Sequence, residues 1–234
     1  MNDLAKRIIA TVALLALVTG CTRVGTTGEG QTRHSSTHPH ELRYGDLGDP
    51  STLNPMLTSD LVSSWLYEMT MAYLVRYDAK NTPIPELATE VPSIANGGIG
   101  RDGRTITYHL RHNVKWSDGA PFDADDVIFS TRLVLDPKTN VISRDGWDRI
   151  TTIGEPDKFT VVYHLRAPYS SVIGTFFATG SSGPSILPKH LLAHTTDINR
   201  DPYNQLPVGI GPFKFKRWAR GDRVELAANP NYWR

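Results

Sequence analysis

Residues 105–135 read TITYHLRHNVKWSDGAPFDADDVIFSTRLVL, and the fold is decided by how this stretch is parsed. Ile106, Tyr108 and Leu110 alternate with Thr105, Thr107, His109 and Arg111, the two-residue period of a half-buried strand. Ser117-Asp118-Gly119 is turn chemistry, and Pro121 holds the chain out of an early helix. Asp123 stands where a helix N-cap belongs, with Asp125 and Asp126 in a first turn that favours negative charge. Phe122 and Val127 have the spacing of a hydrophobic staple. The apolar period continues through Ile128, Phe129 and Leu133 until Asp136-Pro137 ends it. The stretch is strand, tight turn, capped helix.

Three aspartates in four residues also invite a calcium reading. An EF-hand loop needs acids at alternate positions, a glycine at the sixth and a glutamate at the twelfth, and DADDVIFSTRLV lacks that pattern. Capping accounts for the acids.

The same residues carry a resemblance. Leu110-Arg111-His112-Asn113-Val114-Lys115-Trp116-Ser117-Asp118-Gly119, then Pro121 and Ala124-Asp125-Asp126-Val127, resembles the signature of bacterial extracellular solute-binding proteins, family 5. This is the peptide/nickel type, the substrate-capturing lipoproteins of ABC importers. Other segments resemble that family in order: Ser51-Thr52-Leu53-Asn54-Pro55, the strand at Leu74–Asp78, Pro85-Glu86-Leu87-Ala88, Pro188–Leu192, Pro207–Phe213 and Asn229–Trp233. Two places depart from it. Val91-Pro92 stands where the family has an aromatic residue, and Ile210 where it more often has Thr or Ser.

The N-terminus reads as an address. Lys6 and Arg7 precede the apolar run Ile8–Val18, too short for a mature membrane span but suited to a signal peptide. Leu17-Val18-Thr19-Gly20-Cys21 resembles a bacterial lipobox, which makes Cys21 the expected lipidation site. Cys21 is the only cysteine, so an internal disulfide and a multi-cysteine zinc site are excluded. Removing residues 1–20 takes two of 25 basic and one of 24 acidic residues, leaving 23 of each. Near-zero net charge does not point to nucleic acid or an anionic membrane as partner. Residues 21–40, rich in Thr, Gly, Ser and His, read as a flexible tether, and His34, His38 and His40 as solvated rather than metal-binding.

Beyond the tether, Leu42–Leu47 is expected to form a first strand. A helix is expected from Asp60, with Leu61, Trp65, Leu66, Met69 and Tyr73 as its core stripe. Arg149–Ile153 and Phe159–Leu165 read as paired strands joined by Glu155-Pro156-Asp157-Lys158, with His109 and His164 on the outer faces. The repeated Tyr-His-Leu-Arg at 108 and 163 is too short to be a repeat. Pro168 opens a short helix, residues 180–184 form a connection, and two more strands run near 214–218 and 224–226.

These elements predict a mixed α/β fold, and the resemblance implies the periplasmic-binding-protein-like type II form, with the second lobe missing from this N-terminal portion. It further implies one partial lobe from residues 41–75 and 186–234, and an inserted small domain at 76–185. The implied function is capture of dipeptides or oligopeptides outside the cytoplasmic membrane. A nickel, metallophore or other solute receptor of the same family is the alternative. Expected partners are a peptide ligand, ABC permease subunits and, through the lipid, the membrane. A monomer is expected, without cofactor, metal or catalytic residues. Ligand-facing positions implied by the resemblance are Ser59, Asp60 and Leu61, with Gly209, Ile210 and Gly211 next. Asp60 has a plainer use as a helix cap, and the glycines as a close backbone approach. A secreted hydrolase would need Gly-x-Ser-x-Gly or His-Glu-x-x-His, and neither string occurs.

Overall fold

The structure, a computed structural model, describes residues 40–179 and 184–234. The expected signal peptide, Cys21, the tether up to residue 39 and the connection at 180–183 lie outside the described residues. The chain divides into two units, Met1–Gly45 and Asp46–Arg234. In the first, the described residues 40–45 are exposed, and Arg43 pairs with Glu41 at 2.7 Å. The expected strand at 42–47 is absent: Leu42, Tyr44 and Leu47 are exposed, and no strand pairs with this segment among the described residues. Strand geometry leaves every backbone group in need of a neighbour, so apolar residues alone do not hold it.

In the second unit the elements follow in the order α1 (Leu61–Thr70), β1 (Val75–Tyr77), β2 (Pro83–Pro85), β3 (Thr105–His109), α2 (Ala124–Leu135) and β4 (Ile150–Asp157). Then come β5 (Thr160–Leu165), α3 (Val172–Thr175), α4 (Lys189–Leu192), β6 (Phe213–Ala219) and β7 (Arg223–Ala228). β3, β5 and β4 form an antiparallel sheet in that order, while β1–β2 and β6–β7 are separate antiparallel pairs.

The opening stretch folds as its pattern dictates. Ile106, Tyr108 and Leu110 are buried, and His109 is exposed. Gly119, at φ +98°, closes the turn by donating to the Trp116 carbonyl at 2.9 Å. Asp123 caps α2 with a side-chain oxygen 3.0 Å from the Asp125 amide, and Asp126 returns the bond to the Asp123 amide at 3.3 Å. Phe122 and Val127 are both buried in the same core. Asp136 ends the helix.

β4 runs past the expected turn: Pro156 sits inside the strand, and the reversal falls at Lys158-Phe159. The sheet permits this because β4 is an edge, where a residue without an amide N–H breaks no ladder, and a register shift spans Gly154–Asp157. Val161, Tyr163 and Leu165 face inward and His164 outward, in keeping with the alternation.

α2 packs on β4 and β5. Thr131 Oγ1 lies 3.0 Å from the Tyr163 hydroxyl. Trp147 meets Phe176 and Phe177 at ring distances of 4.8 and 4.9 Å, and Tyr163 meets Phe176 at 5.0 Å. These aromatics, with Trp116, Phe122 and Tyr108, form the large core. It reaches beyond the sheet to Leu74, Ile186, Leu192 and Ile210, so residues on both sides of the expected domain divisions share it. A second, small core of Leu53, Tyr67, Met71 and Phe215 lies where α1 rests on the β6–β7 hairpin.

Candidate functional site

The segment before α1 is fixed from its polar side chains upward. Asn54 Oδ1 accepts from the Met56 amide at 3.0 Å, and its Nδ2 donates to Asn204 Oδ1 at 2.7 Å. The Leu53 amide donates to the Asn204 carbonyl at 3.0 Å, tying the Leu-Asn-Pro turn to the 198–204 region. Both asparagines are buried, and every such bond removed would strand a desolvated amide.

Asp60 then caps α1 through Oδ1, which accepts the Ser63 amide at 2.7 Å. Its other oxygen accepts from Ser51 Oγ at 2.8 Å and Thr58 Oγ1 at 2.9 Å. Partial burial alone would raise this carboxyl, but the bonds from Ser63, Ser51 and Thr58 outweigh it and hold the group at about 2. Asp60 is therefore an ionised cap with both oxygens engaged. Ser59 and Leu61 flank it at the surface, and Leu61 is 69% exposed.

The expected core stripe of this helix is corrected by the structure. Leu61, Trp65 and Met69 face outward, at 69%, 52% and 37% exposure, and Leu66 is half-buried. The buried face is Ser63, Tyr67 and Thr70, with Tyr73 buried beyond the helix end. Small and hydroxylated residues win the inner face because they reach polar partners there. Ser63 Oγ and Tyr67 OH both donate to the Thr52 carbonyl, at 3.1 and 3.2 Å.

Gly209, Ile210 and Gly211 lie at the other end of the same helix. Gly211 donates its amide to the Thr70 carbonyl at 2.9 Å, and the Gly209 carbonyl accepts from Ser117 at 2.8 Å. A Cβ on Gly209 would stand 2.0 Å from the Thr70 oxygen, and one on Gly211 2.6 Å from that of Met69. Backbone meets backbone here, which is what only glycine allows. Ile210 is buried in the large core. The structure thus brings Asp60–Leu61 to one end of α1 and Gly209–Gly211 to its other end, rather than into one cluster.

A polar joint that sequence reading missed lies at the start of α2. Asp126, 4% exposed, accepts from the indole N–H of Trp116 at 3.0 Å and from the Lys189 amide at 2.8 Å. Burial raises its carboxyl to about 6 against these N–H donors. Around it Lys189 pairs with Asp125, and His190 Nε2 lies 2.8 Å from Asp118. Ser130 Oγ accepts the Leu187 amide at 2.7 Å. These bonds lock the returning segment 185–192 onto α2. The available signal was Trp116 in the turn, since a buried indole needs an acceptor.

An open depression of about 690 Å³ lies at the end of β3, lined by His109, His112, Lys158 and Phe159 among others. His112 stacks on Phe159 at 4.0 Å. None of the six expected ligand-facing residues lines it. Among the described residues, no group of three or more His, Cys, Asp or Glu side chains is placed to hold a metal ion.

Comparisons with known proteins give these features a context. The model of the bacterial extracellular solute-binding proteins, family 5 Middle, matches residues 82–234. Protein XP55 of Streptomyces lividans is 34% identical over 226 residues, 96% of this chain and 38% of its own length. The oligopeptide-binding protein AppA of Bacillus subtilis is 25% identical over 235 residues, 98% of this chain and 41% of its own. The solved structure of AppA with a nonapeptide has a TM-score of 0.71 at 24% identity, covering 80% of this chain and 36% of AppA. NikZ of Campylobacter jejuni with Ni(L-His) has a TM-score of 0.68 at 30% identity, covering 79% and 34%. The chain thus spans about two fifths of the length of these curated relatives. With the Lys115–Val127 turn and capped helix inside the matched range, this chain belongs to the bacterial extracellular solute-binding proteins, family 5.

Proposed function

We propose that this chain belongs to the substrate-capturing component of an ABC importer and takes up dipeptides or oligopeptides outside the cytoplasmic membrane. The observation that carries the reading is the family match over residues 82–234, which contains the organising turn and helix. The peptide ligand is favoured because AppA, similar along 98% of this chain, is an oligopeptide-binding protein. A nickel chelate is the second reading, supported by the likeness to NikZ bound to Ni(L-His). In either case ABC permease subunits are the membrane partner.

Anchoring through a lipid on Cys21 belongs to the same proposal, as do a monomeric state and the positions Ser59, Asp60, Leu61 and Gly209–Gly211 at the ligand side. The exposed surface at Ser59 and Leu61 supports the first group. The second would act by shaping the backbone beside α1, given the burial of Ile210. A lobe from residues 41–75 and 186–234 is supported by the bonds from Leu53 to Asn204 and from Gly211 to Thr70. The segment 76–185 would be the inserted domain.

A peptide held by this much of the family's length would keep one side in water, gaining little for the freedom it loses. Peptide affinity of the 234-residue chain alone is therefore expected to be weaker than micromolar. The functional test is uptake in the host. Deleting the gene should lower entry of labelled tripeptides to pentapeptides and leave nickel entry unchanged. Lost nickel uptake with intact peptide uptake would favour the second reading, and no change in either would contradict both.

A further inference from the structure

The hairpin β6–β7 carries apolar residues toward α1 and exposed charged residues away from it. Its inner face carries Phe215, Trp218, Val224 and Leu226, all packed into the small core. The register shift between Phe215 and Arg217 leaves Lys216 and Arg217 both exposed, then returns Trp218 to the inner side opposite Val224. Residues 214–225 hold five cations, Lys214, Lys216, Arg217, Arg220 and Arg223, against two carboxylates, Asp222 and Glu225. That is a local charge of +3 in a chain whose total is +1, so the remaining residues sum to −2.

The two carboxylates do not neutralise the face. Glu225 takes Arg223 at 2.8 Å and Lys216 at 3.6 Å, and Asp222 also takes Arg223. Lys214, Arg217 and Arg220 have no carboxylate at ion-pair distance among the described residues. Arg220, at the tip, stacks on the Trp218 ring at 4.1 Å and donates to Gln205 Oε1 at 3.3 Å, while Asp49 accepts from the Trp218 indole at 3.0 Å. Gly221, at φ +72°, makes the tight reversal that sets Arg220 and Arg223 on either side of that tip.

We infer that this cationic hairpin face is a docking surface for an anionic phospholipid membrane. Clusters of four to eight basic residues close to a bilayer are drawn to its negative surface, by about fivefold in binding for each cation. The exposed cations are spread along a two-stranded hairpin, an arrangement that suits a surface better than a small ligand. An export lipoprotein works beside such a surface, and a second, weak contact would limit how the domain sits on its tether. The inference takes its biological meaning from the proposed membrane-anchored role.

The test is co-sedimentation of the full chain, produced without lipid, with phosphatidylglycerol-containing vesicles and with pure phosphatidylcholine vesicles. Binding to the anionic vesicles should be the stronger and should fall as salt is raised to about 0.15 M. The triple variant Lys216→Glu, Arg217→Glu, Arg220→Glu should bind them more than about tenfold more weakly. A control with the same net charge, Arg101→Glu, Arg104→Glu, Lys138→Glu, alters exposed cations elsewhere and should bind as the parent does. Equal binding to both vesicle types, absence of a salt effect, or equal loss in the two triple variants would overturn the inference. Because vesicle binding requires no transport, its failure would leave the uptake test standing.

Discussion

The large core and the small one are built by different means. The large core is closed on all sides: Trp116, Trp147, Tyr108, Tyr163, Phe122, Phe176 and Phe177 are each below 2% exposure. A three-stranded sheet, a capped twelve-residue helix and the Asp126 joint surround it. The small core has four buried members, and three of its packing neighbours come from a two-stranded hairpin. The helix above it shows Leu61, Trp65 and Met69 to solvent on its other side. An isolated hairpin is marginal in water, and a helix apolar on its outer side gains nothing from that side. This chain is therefore well enclosed around the turn-and-helix stretch and less so around α1.

Truncating an aromatic in each core tests that difference with the largest expected effect. Phe177→Ala should cost about 3–5 kcal/mol, whereas Phe215→Ala should cost about half that or less, because its cluster is small and most of its neighbours are only half-buried. Equal losses in urea melts would erase the distinction.

Next comes the pH response of the joint. Asp126 has a raised carboxyl, about 6 against an ordinary 3.8, so the folded state holds its proton more tightly than the unfolded one. The stability this contributes is fully present below pH 3.8 and is lost as pH rises through 6, by roughly 3 kcal/mol. Asp126→Asn removes the titration but also one acceptor. The variant should lie well below the parent at pH 4, and the gap should narrow toward pH 7. A gap independent of pH would show that the carboxyl does not titrate as described.

A smaller effect falls on the cap of α2. Asp123→Ala should lose about 1 kcal/mol and Asp123→Ser much less, with no change in melting temperature on adding a chelator. A chelator-sensitive parent would restore the calcium reading. The smallest effect belongs to the outer stripe. Trp65→Ser should change stability by less than about 0.5 kcal/mol, as for an ordinary surface site. A loss of several times that amount would mean that α1 is covered in solution.

What was legible in the sequence follows the same division. Around the large core, period, cap and turn chemistry all pointed one way, and β3, the Gly119 turn, Asp123 and the end of α2 came out as read. Local rules suffice where local elements enclose their own apolar faces. Around α1 they did not. Its most apolar stripe faces outward, because Ser63 and Tyr67 were needed on the inside to satisfy the Thr52 carbonyl. Leu42–Leu47 alternates only over Leu42-Arg43-Tyr44 and has no strand beside it among the described residues. Pro156 reads as a turn residue because sequence does not say which strand is an edge. Asp126 reads only as a dipole-favoured acid of the first turn, since nothing local shows that Trp116 and Lys189 converge on it from residues ten before and 63 after.

Native-state hydrogen exchange on the full chain tests the division between the two regions most directly. Amides of β3, β5 and α2 should exchange only through global unfolding, and those of α1, β6 and β7 through a smaller opening at least about tenfold more frequent. Uniform protection of α1, the hairpin and the central sheet at one opening free energy would contradict the account.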